Sequence, residues 1–340
     1  MSGLICRTGR KPSQYWVAAS AAATILIAAG GGVAAAPVAH AATQLSLCSN
    51  AASPPGPVRH VMVVMLENQP YTNVIGPGSK APYENGYLAS HCGLATNMYG
   101  ATHTSAANYL ALTGGQFPAS SPPGCGSVSA CASSAASLFS QVDTAGLGWA
   151  SYEESMATPC DKHTASPYKI GHNPALFYPL SDCTADDLPD PSLTAASGPL
   201  WAALTGRTLP AFTFVTPNLK NDGEGSGGLG AADSWLQAFL TLVATTATYQ
   251  DGTLAILVTY DEGTGSDYAV GENCADRSAD LAGKQPSCHI AAFVVYPWAA
   301  GTDSTFFTHY SITRTTDDLF KMPELFNAAS ANTLVGHFGL

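Results

Sequence analysis

Three groups of acidic and amide residues follow apolar runs of this sequence. Glu67-Asn68 follows residues 58–66, Asn218 and Asn221-Asp222 follow 209–216, and Asp261-Glu262 follows 252–260. If these runs are strands of an open α/β sheet, their exits share one crevice, where such sheets bind ligands. Two adjacent carboxylates closing a strand as apolar as 253–260 crowd like charges, and a cation or a hydrogen-bond network is the natural compensation. Taken alone, Asp261-Glu262-Gly263 reads equally well as a solvated turn. The joint pattern favours a cation.

A second group, Thr102-His103-Thr104-Ser105-Ala106-Ala107-Asn108-Tyr109, lies between a possible strand at 94–99 and a helical stretch from Ala106. A hydroxyl there suits an N-cap, and Thr104 or Ser105 fits that role. The same geometry suits catalysis, because helix N-terminal amides and the helix dipole attract phosphate oxygens. Histidines supply acid/base and anion-binding candidates: His289 opens an apolar strand, His309 precedes a helix, and His103 adjoins the hydroxyls. An unperturbed imidazole is cationic below about pH 6.5, which would favour binding of a phosphate dianion at acid pH.

The elements that must position these residues are legible as apolar, β-branched runs at 58–66, 209–216, 252–260 and 290–296, alternating with helical spacing at 106–112, 135–144, 231–245 and 312–320. Continuous apolar strands between helices predict an α/β sandwich, a mostly parallel sheet with helices on both faces. Residues 117–134 and 155–197 lack periodicity and carry four cysteines, which suggests a disulfide-stapled loop cap over one sheet edge.

Arg7, Arg10 and Lys11 precede an Ala-rich apolar run at 16–36, and Ala39-His40-Ala41 supplies small residues for cleavage before Ala42. Residues 1–41 therefore read as a signal peptide and 42–340 as one domain, secreted and without a stable membrane anchor. The remaining chain has 10 basic residues against 24 acidic ones, a net of −14, which argues against nucleic acid as a partner. Its eight cysteines read as disulfides, with Cys125/Cys131, Cys160/Cys183 and Cys274/Cys288 attractive as local pairs and Cys48/Cys92 left over.

The segments Leu66-Glu67-Asn68-Gln69, Ala81-Pro82-Tyr83, Ala95-Thr96-Asn97, Thr102 to Leu112, Thr216-Pro217-Asn218, Asn221-Asp222, Val258 to Gly263 and His309-Tyr310-Ser311 resemble, in order and spacing, the motifs of the phosphoesterase family that contains bacterial acid phosphatases and phospholipases C. The resemblance spans about 58–325 and is greatest to the short secreted branch that includes phosphatidylinositol 3-phosphate phosphatases. It implies an alkaline-phosphatase-like fold, a hydroxyl nucleophile and a phospho-enzyme intermediate. Matching Ser-x-x-Asn-Tyr to the superfamily's pattern puts the nucleophile at Ser105, with Thr102 and Thr104 as competitors and Asn108 one turn on as a phosphate donor. Glu67, Asn68, Asp261 and Glu262 would hold a divalent metal, with Asp222 and Glu224 as further candidates; such ligands suit a hard cation, Mg, Ca or Mn. Lys169 and His172, in a segment like the family's Lys-His-Asn-Pro, would bring positive charge to the phosphate, with Asn68 and His103 also on the substrate. The chain departs from the family where it reads Asn221-Asp222-Gly223-Glu224-Gly225 against the usual Asn-Asp-x-His-Asp, so Glu224 replaces a histidine.

The resulting expectation is a secreted phosphomonoesterase of acid phosphatase type acting on a small-molecule or lipid phosphate ester, including phosphoinositides. The alternatives are a phospholipase C-like phosphodiesterase, which needs room for a diacylglycerol leaving group, and a phosphate-binding homologue with weakened turnover. Asp186 and Asp187, in the aperiodic segment, read as exposed.

Overall fold

The computed structural model describes residues 46–50, 54, 56–116, 128–265, 274 and 287–340. The expected signal peptide lies outside them, and residues Thr43–Leu340 form one compact unit. A nine-stranded mixed sheet runs through it. Its strands are β1 (His60–Leu66), β2 (Gly93–Tyr99), β3 (Trp149–Glu154), β4 (Asp187–Asp190), β5 (Phe212–Thr216), β6 (Leu254–Tyr260), β7 (His289–Val295), β8 (Thr302–Asp303) and β9 (Phe307–Thr308). Their order is β4-β3-β5-β1-β6-β7-β2-β8, with β9 also on β2.

The block from β4 to β6 is parallel, while β7 runs antiparallel to both its neighbours. Successive residues Val63, Val64, Met65 and Leu66 are all fully buried. Because alternate side chains of a strand point to opposite faces, both faces of the sheet are covered, as continuous apolar strands predict. Among the covering helices, Ser105–Gly114 packs on His309–Phe320, and Gly228–Ala244 contributes Leu236, Phe239 and Leu240 to the core.

Register positions the site. Leu66 pairs with Tyr260 and Val64 with Val215, so Glu67, Pro217 and Asp261 leave the sheet side by side. The exits are tied together by Asp261 N–H donating to Leu66 O at 2.9 Å and Glu67 N–H donating to Asp222 O at 2.8 Å.

Strand β3 escaped the sequence reading because it ends in Glu153-Glu154, a pair that looks solvated yet is buried. The aperiodic 155–197 segment also holds a strand, β4, which pairs in parallel with β3 at the sheet edge. Asp187 is accordingly buried and accepts from Asn173 Nδ2 at 2.9 Å, which corrects the expectation that it is exposed. The staple in that segment is Cys160–Cys183, with Cα atoms 5.9 Å apart. Cys48–Cys92 and Cys274–Cys288 are also bonded, with Cα separations of 5.1 and 5.7 Å. Cys131 is disulfide-bonded, and its expected partner Cys125 lies outside the described residues.

Candidate active site

Glu67 is the centre of the crevice. It is fully buried, and its two carboxylate oxygens face different neighbours. Oε2 accepts from Ser105 Oγ at 3.1 Å and Asn68 Nδ2 at 3.2 Å. Oε1 accepts from Tyr109 OH at 2.7 Å and lies 3.4 Å from His172 Nε2. Asn68 adopts φ 58°, a turn out of β1 that sends its own N–H to Asp261 Oδ1 at 2.9 Å.

Ser105 opens the ten-residue Ser105–Gly114 helix. Thr104 occupies the N-cap position, but its hydroxyl bonds His103 O and makes no cap bond to the helix. The first-turn amides thus have no side-chain cap from Thr104, and Ser105 Oγ, half-buried beside them, is turned toward the carboxylates. That is the geometry of an anion site with a hydroxyl in it.

The Ile170–His172 turn brings His172 over this centre, stacked on the Tyr109 ring with centroids 5.5 Å apart. His172 Nδ1 lies 3.7 Å from Asp222 Oδ2, and its Nε2 lies 3.7 Å from Glu224 Oε2. Lys169 Nζ donates to that same Glu224 oxygen at 2.8 Å. The Asn221–Gly225 loop is compressed: a Cβ at Gly225 would sit 1.6 Å from Leu219 O, and one at Gly223 would sit 2.8 Å from Glu67 O. Only glycine permits this approach, and it is what carries Asp222 and Glu224 inward.

The electrostatics are those of crowded, buried carboxylates. Burial, then Asp261 and Asp222, push Glu67 well above the ordinary carboxylate range. Burial raises Asp222 to about 7 and Asp261 to about 6. Burial, with Lys169 adding to it, holds His172 well below the usual imidazole range. Asp222 Oδ2, Asp261 Oδ2 and His172 Nε2 are buried with no hydrogen-bond partner. Oxygen and imidazole donors orphaned around one carboxylate fit a divalent cation.

The structure gathers Glu67, Asn68, Ser105, Lys169, His172, Asp222, Glu224 and Asp261. It separates Glu262 from them: successive residues of an extended segment diverge, and Glu262 Oε2 instead lies 3.5 Å from His103 Nδ1. His103 is fully buried, with Nε2 3.1 Å from Ser287 Oγ, and braces the turn before the Ser105–Gly114 helix. Asn108 is likewise committed to backbone, its Oδ1 accepting from Ala101 and Thr102 N–H at 3.0 and 2.9 Å and its Nδ2 donating to Thr102 O at 2.8 Å. His309 bridges Ala101 N–H and Tyr260 O, 3.3 and 2.9 Å away, and burial lowers it to about 4. His289 bonds Thr96 O at 2.9 Å and is stacked between Tyr71 and Tyr99. These four side chains shape the site from outside.

Two residues of the site were not among the expected site residues. Tyr109 stands in the Ser-x-x-Asn-Tyr motif, where its helical position one turn after Ser105 was the available clue. Glu154, buried at the end of β3, accepts from Asn218 N–H at 3.0 Å, Asn221 Nδ2 at 2.8 Å and Trp235 Nε1 at 3.4 Å. It anchors the loop that bears Asp222 and Glu224.

The chain is 26% identical over 271 residues to an acid phosphatase of Aspergillus fumigatus, covering 77% of this chain and 55% of that protein. The chain thus spans little more than half the length of the fungal acid phosphatases it matches. It is 25% identical over 284 residues to the phosphatidylinositol-3-phosphatase of Mycobacterium tuberculosis, covering 82% and 83% of the two chains. Among solved structures, an alkaline phosphatase superfamily protein from Vibrio parahaemolyticus superposes with a TM-score of 0.53 at 13% identity, over 85% of this chain and 74% of that one, which shows a shared fold. Residues 77–323 match the Phosphoesterase family, and the chain belongs to it.

Proposed function

We propose that the chain is a phosphomonoesterase of acid phosphatase type that uses Ser105 as nucleophile. The observation that carries this reading is Ser105 Oγ at the N-terminus of its helix, donating to buried Glu67 Oε2 at 3.1 Å. That bond directs the hydroxyl proton toward a carboxylate and leaves an oxygen lone pair for phosphorus. Attack forms an Oγ–P bond and breaks the bond from phosphorus to the ester oxygen, which leaves as an alkoxide and takes a proton from solvent. Water then attacks the phosphoserine, releasing phosphate and restoring the hydroxyl. Helix amides and Lys169 would bind the phosphoryl oxygens. Glu67, Asn68 and Asp261 would hold a divalent cation, which when bound supplies charge neutralisation for the phosphoryl oxygens and favours the ionised serine.

The surroundings favour a monoester with a polar leaving group over a diacylglycerol-bearing diester. A groove of about 330 Å³ beside the site is lined by Gln69, Thr72, Asn73, Lys80 and Leu229, and shares Gln69, whose Nε2 donates to Gly223 O at 2.9 Å. The larger, more apolar groove, about 680 Å³ along Leu47, Tyr83, Tyr87 and Thr241, includes Leu47, whose carbonyl accepts from Tyr249 just before the amino end of β6. It therefore lies toward the opposite end of the strands. A phosphoinositol head group suits the polar groove, in keeping with the name of the mycobacterial relative.

We also propose that residues 1–41 direct export and that 42–340 act as one secreted domain, since Cys48–Cys92, Cys160–Cys183 and Cys274–Cys288 need an oxidising compartment. No helix among the described residues is long and apolar enough to cross a membrane. The test of the reaction class is turnover of p-nitrophenyl phosphate against bis(p-nitrophenyl) phosphate, with and without chelator. Preferential monoester hydrolysis that falls on chelation is expected; faster diester hydrolysis, or none of either, would contradict the proposal.

A further inference from the structure

We propose that Lys80 binds a second anionic group on the substrate, so that phosphomonoesters carrying another phosphoryl group on the same alcohol are preferred; this rests on the phosphomonoesterase reading and names its substrate class. The polar groove of about 330 Å³ beside the site takes its polar side chains from Gln69, Thr72, Asn73 and Lys80, with Gly78 and Leu229 completing the wall. No carboxylate lines it, although acidic residues outnumber basic ones in this chain. Its volume falls at the low end of the range for ligand pockets, about 300–1,000 Å³, and suits a small polar group better than acyl chains.

The groove and the Ser105 crevice share a wall. Gln69 follows Glu67 by two residues; its Nε2 donates to Gly223 O at 2.9 Å, and a Cβ at Gly223 would lie 2.8 Å from Glu67 O. Asn73 Nδ2 in turn donates to Gln69 Oε1 at 3.2 Å. Those bonds occupy both ends of the Gln69 amide, so the groups left to meet an anion are the Lys80 ammonium and the Thr72 hydroxyl. Lys80 makes no ion pair among the described residues. Lys169, the lysine of the crevice itself, is instead held by Glu224 at 2.8 Å.

A fixed loop presents the unpaired lysine. Gly76 N–H donates to Asn85 Oδ1 at 3.0 Å, and Asn85 Nδ2 donates back to Gly76 O at 2.9 Å. Ser79 Oγ donates to Val74 O at 2.6 Å and accepts from Ala81 N–H at 3.0 Å. Just beyond, the N–H groups of Tyr83 and Glu84 donate to the Asp233 carboxylate at 3.1 and 2.8 Å, which ties this stretch to the Gly228–Ala244 helix. The backbone of Lys80 is therefore in place before substrate arrives, and binding orders only its side chain. An ammonium with three donors meets a phosphoryl group without demanding one orientation of it.

The second phosphoryl group has two sources of the same chemistry, a soluble polyol bisphosphate and the phosphodiester of a lipid head group. The test is the ratio of kcat/KM for myo-inositol 1,3-bisphosphate to that for myo-inositol 3-phosphate, which differ only in the second phosphate, with soluble dibutanoyl phosphatidylinositol 3-phosphate as the lipid arm. Comparing the ratio between wild type and variants cancels the statistical advantage of two cleavable groups. Lys80→Ala should lower it about fivefold, the scale of an exposed charge-assisted contact. Gly78→Asp should lower it too, because a Cβ there meets nothing within 4 Å and the new carboxylate has room in the groove. Lys321→Ala, at an exposed lysine outside the groove, removes the same charge and should leave the ratio unchanged. A fall in Lys80→Ala confined to the inositol bisphosphate would assign the second group to soluble esters, and an equal fall with the lipid would extend it to the head group. An unchanged ratio in Lys80→Ala, or turnover of p-nitrophenyl phosphate with neither inositol phosphate, would overturn the inference and leave the reaction class intact. No hydrolysis of any of these substrates would overturn the reaction class and the inference with it.

Discussion

Replacing Glu154 by alanine should weaken cation binding at a site whose proposed ligands Glu154 does not itself include. Its carboxylate accepts from Asn218 N–H, Asn221 Nδ2 and Trp235 Nε1 at 3.0, 2.8 and 3.4 Å. The first two bonds hold the segment leading into Asp222, and the third ties it to the Gly228–Ala244 helix. Hydrogen bonds to a charged group contribute about 1.5–3 kcal/mol each, and the 3.4 Å contact less. Asn221 is only half-buried, so water can replace part of what is lost. The net cost is then roughly 2–4 kcal/mol, and at about 2 °C per kcal/mol for a chain of this size Tm should fall by roughly 4–8 °C. The diagnostic quantity is the rise in Tm on adding Mn²⁺, because a ligand stabilises in proportion to its affinity for the folded state. That rise should shrink in Glu154→Ala, since Asp222 and Glu224 lose the anchor that presents them. Thermal melts with and without Mn²⁺ measure both numbers. An unchanged Tm, or a lowered Tm with the full Mn²⁺ increment, would refute the idea that Glu154 positions the loop.

Two further outcomes follow from buried carboxylates. Glu84 is fully buried against Tyr260 OH, and burial raises it from 4.5 to about 8, with Asp233 adding to the rise. The folded state therefore holds a proton that the unfolded chain releases above pH 4.5, and stability declines as pH rises from about 4.5 to 8; near pH 7 the deficit is roughly 3 kcal/mol. Glu84→Gln should remove that slope and melt higher than wild type at pH 7 but not at pH 4.5, and an undiminished slope would show that Glu84 is not its source. Asp261→Asn should lower both bound Mn²⁺ and monoester turnover at least tenfold, whereas Asp182→Asn should change neither; equal Mn²⁺ binding in Asp261→Asn would remove it from the ligand set.

What was legible in the sequence follows from which forces are local. Strands 58–66, 209–216 and 252–260 are apolar because parallel strands are covered on both faces, and the residues after them had to meet at one sheet edge. That logic located Glu67, Asp222 and Asp261 before any register was known. It did not foresee Glu262, because adjacency in sequence does not give side chains a common direction, and the pair diverges between the Glu67 crevice and His103. It failed again for Glu153-Glu154, whose burial depends on partners from Asn218 to Trp235 that no local pattern announces. His172 was singled out as a source of positive charge, but it is buried against the Tyr109 ring, and burial, with Lys169 adding to it, disfavours its cationic form. Asn108, His289 and His309 looked chemical by type, while the fold employs them on backbone groups.

The central claim, that Ser105 is phosphorylated during turnover, is tested most directly by rapid acid quench. The chain is mixed with ³²P-labelled phosphomonoester, quenched within the first turnovers, digested and mapped by mass spectrometry. Label on the peptide containing Ser105, localised to that residue and absent from a folded Ser105→Ala variant with little residual turnover, is the expected result. Label on Thr102 or Thr104, or wild-type rates in Ser105→Ala, would contradict it.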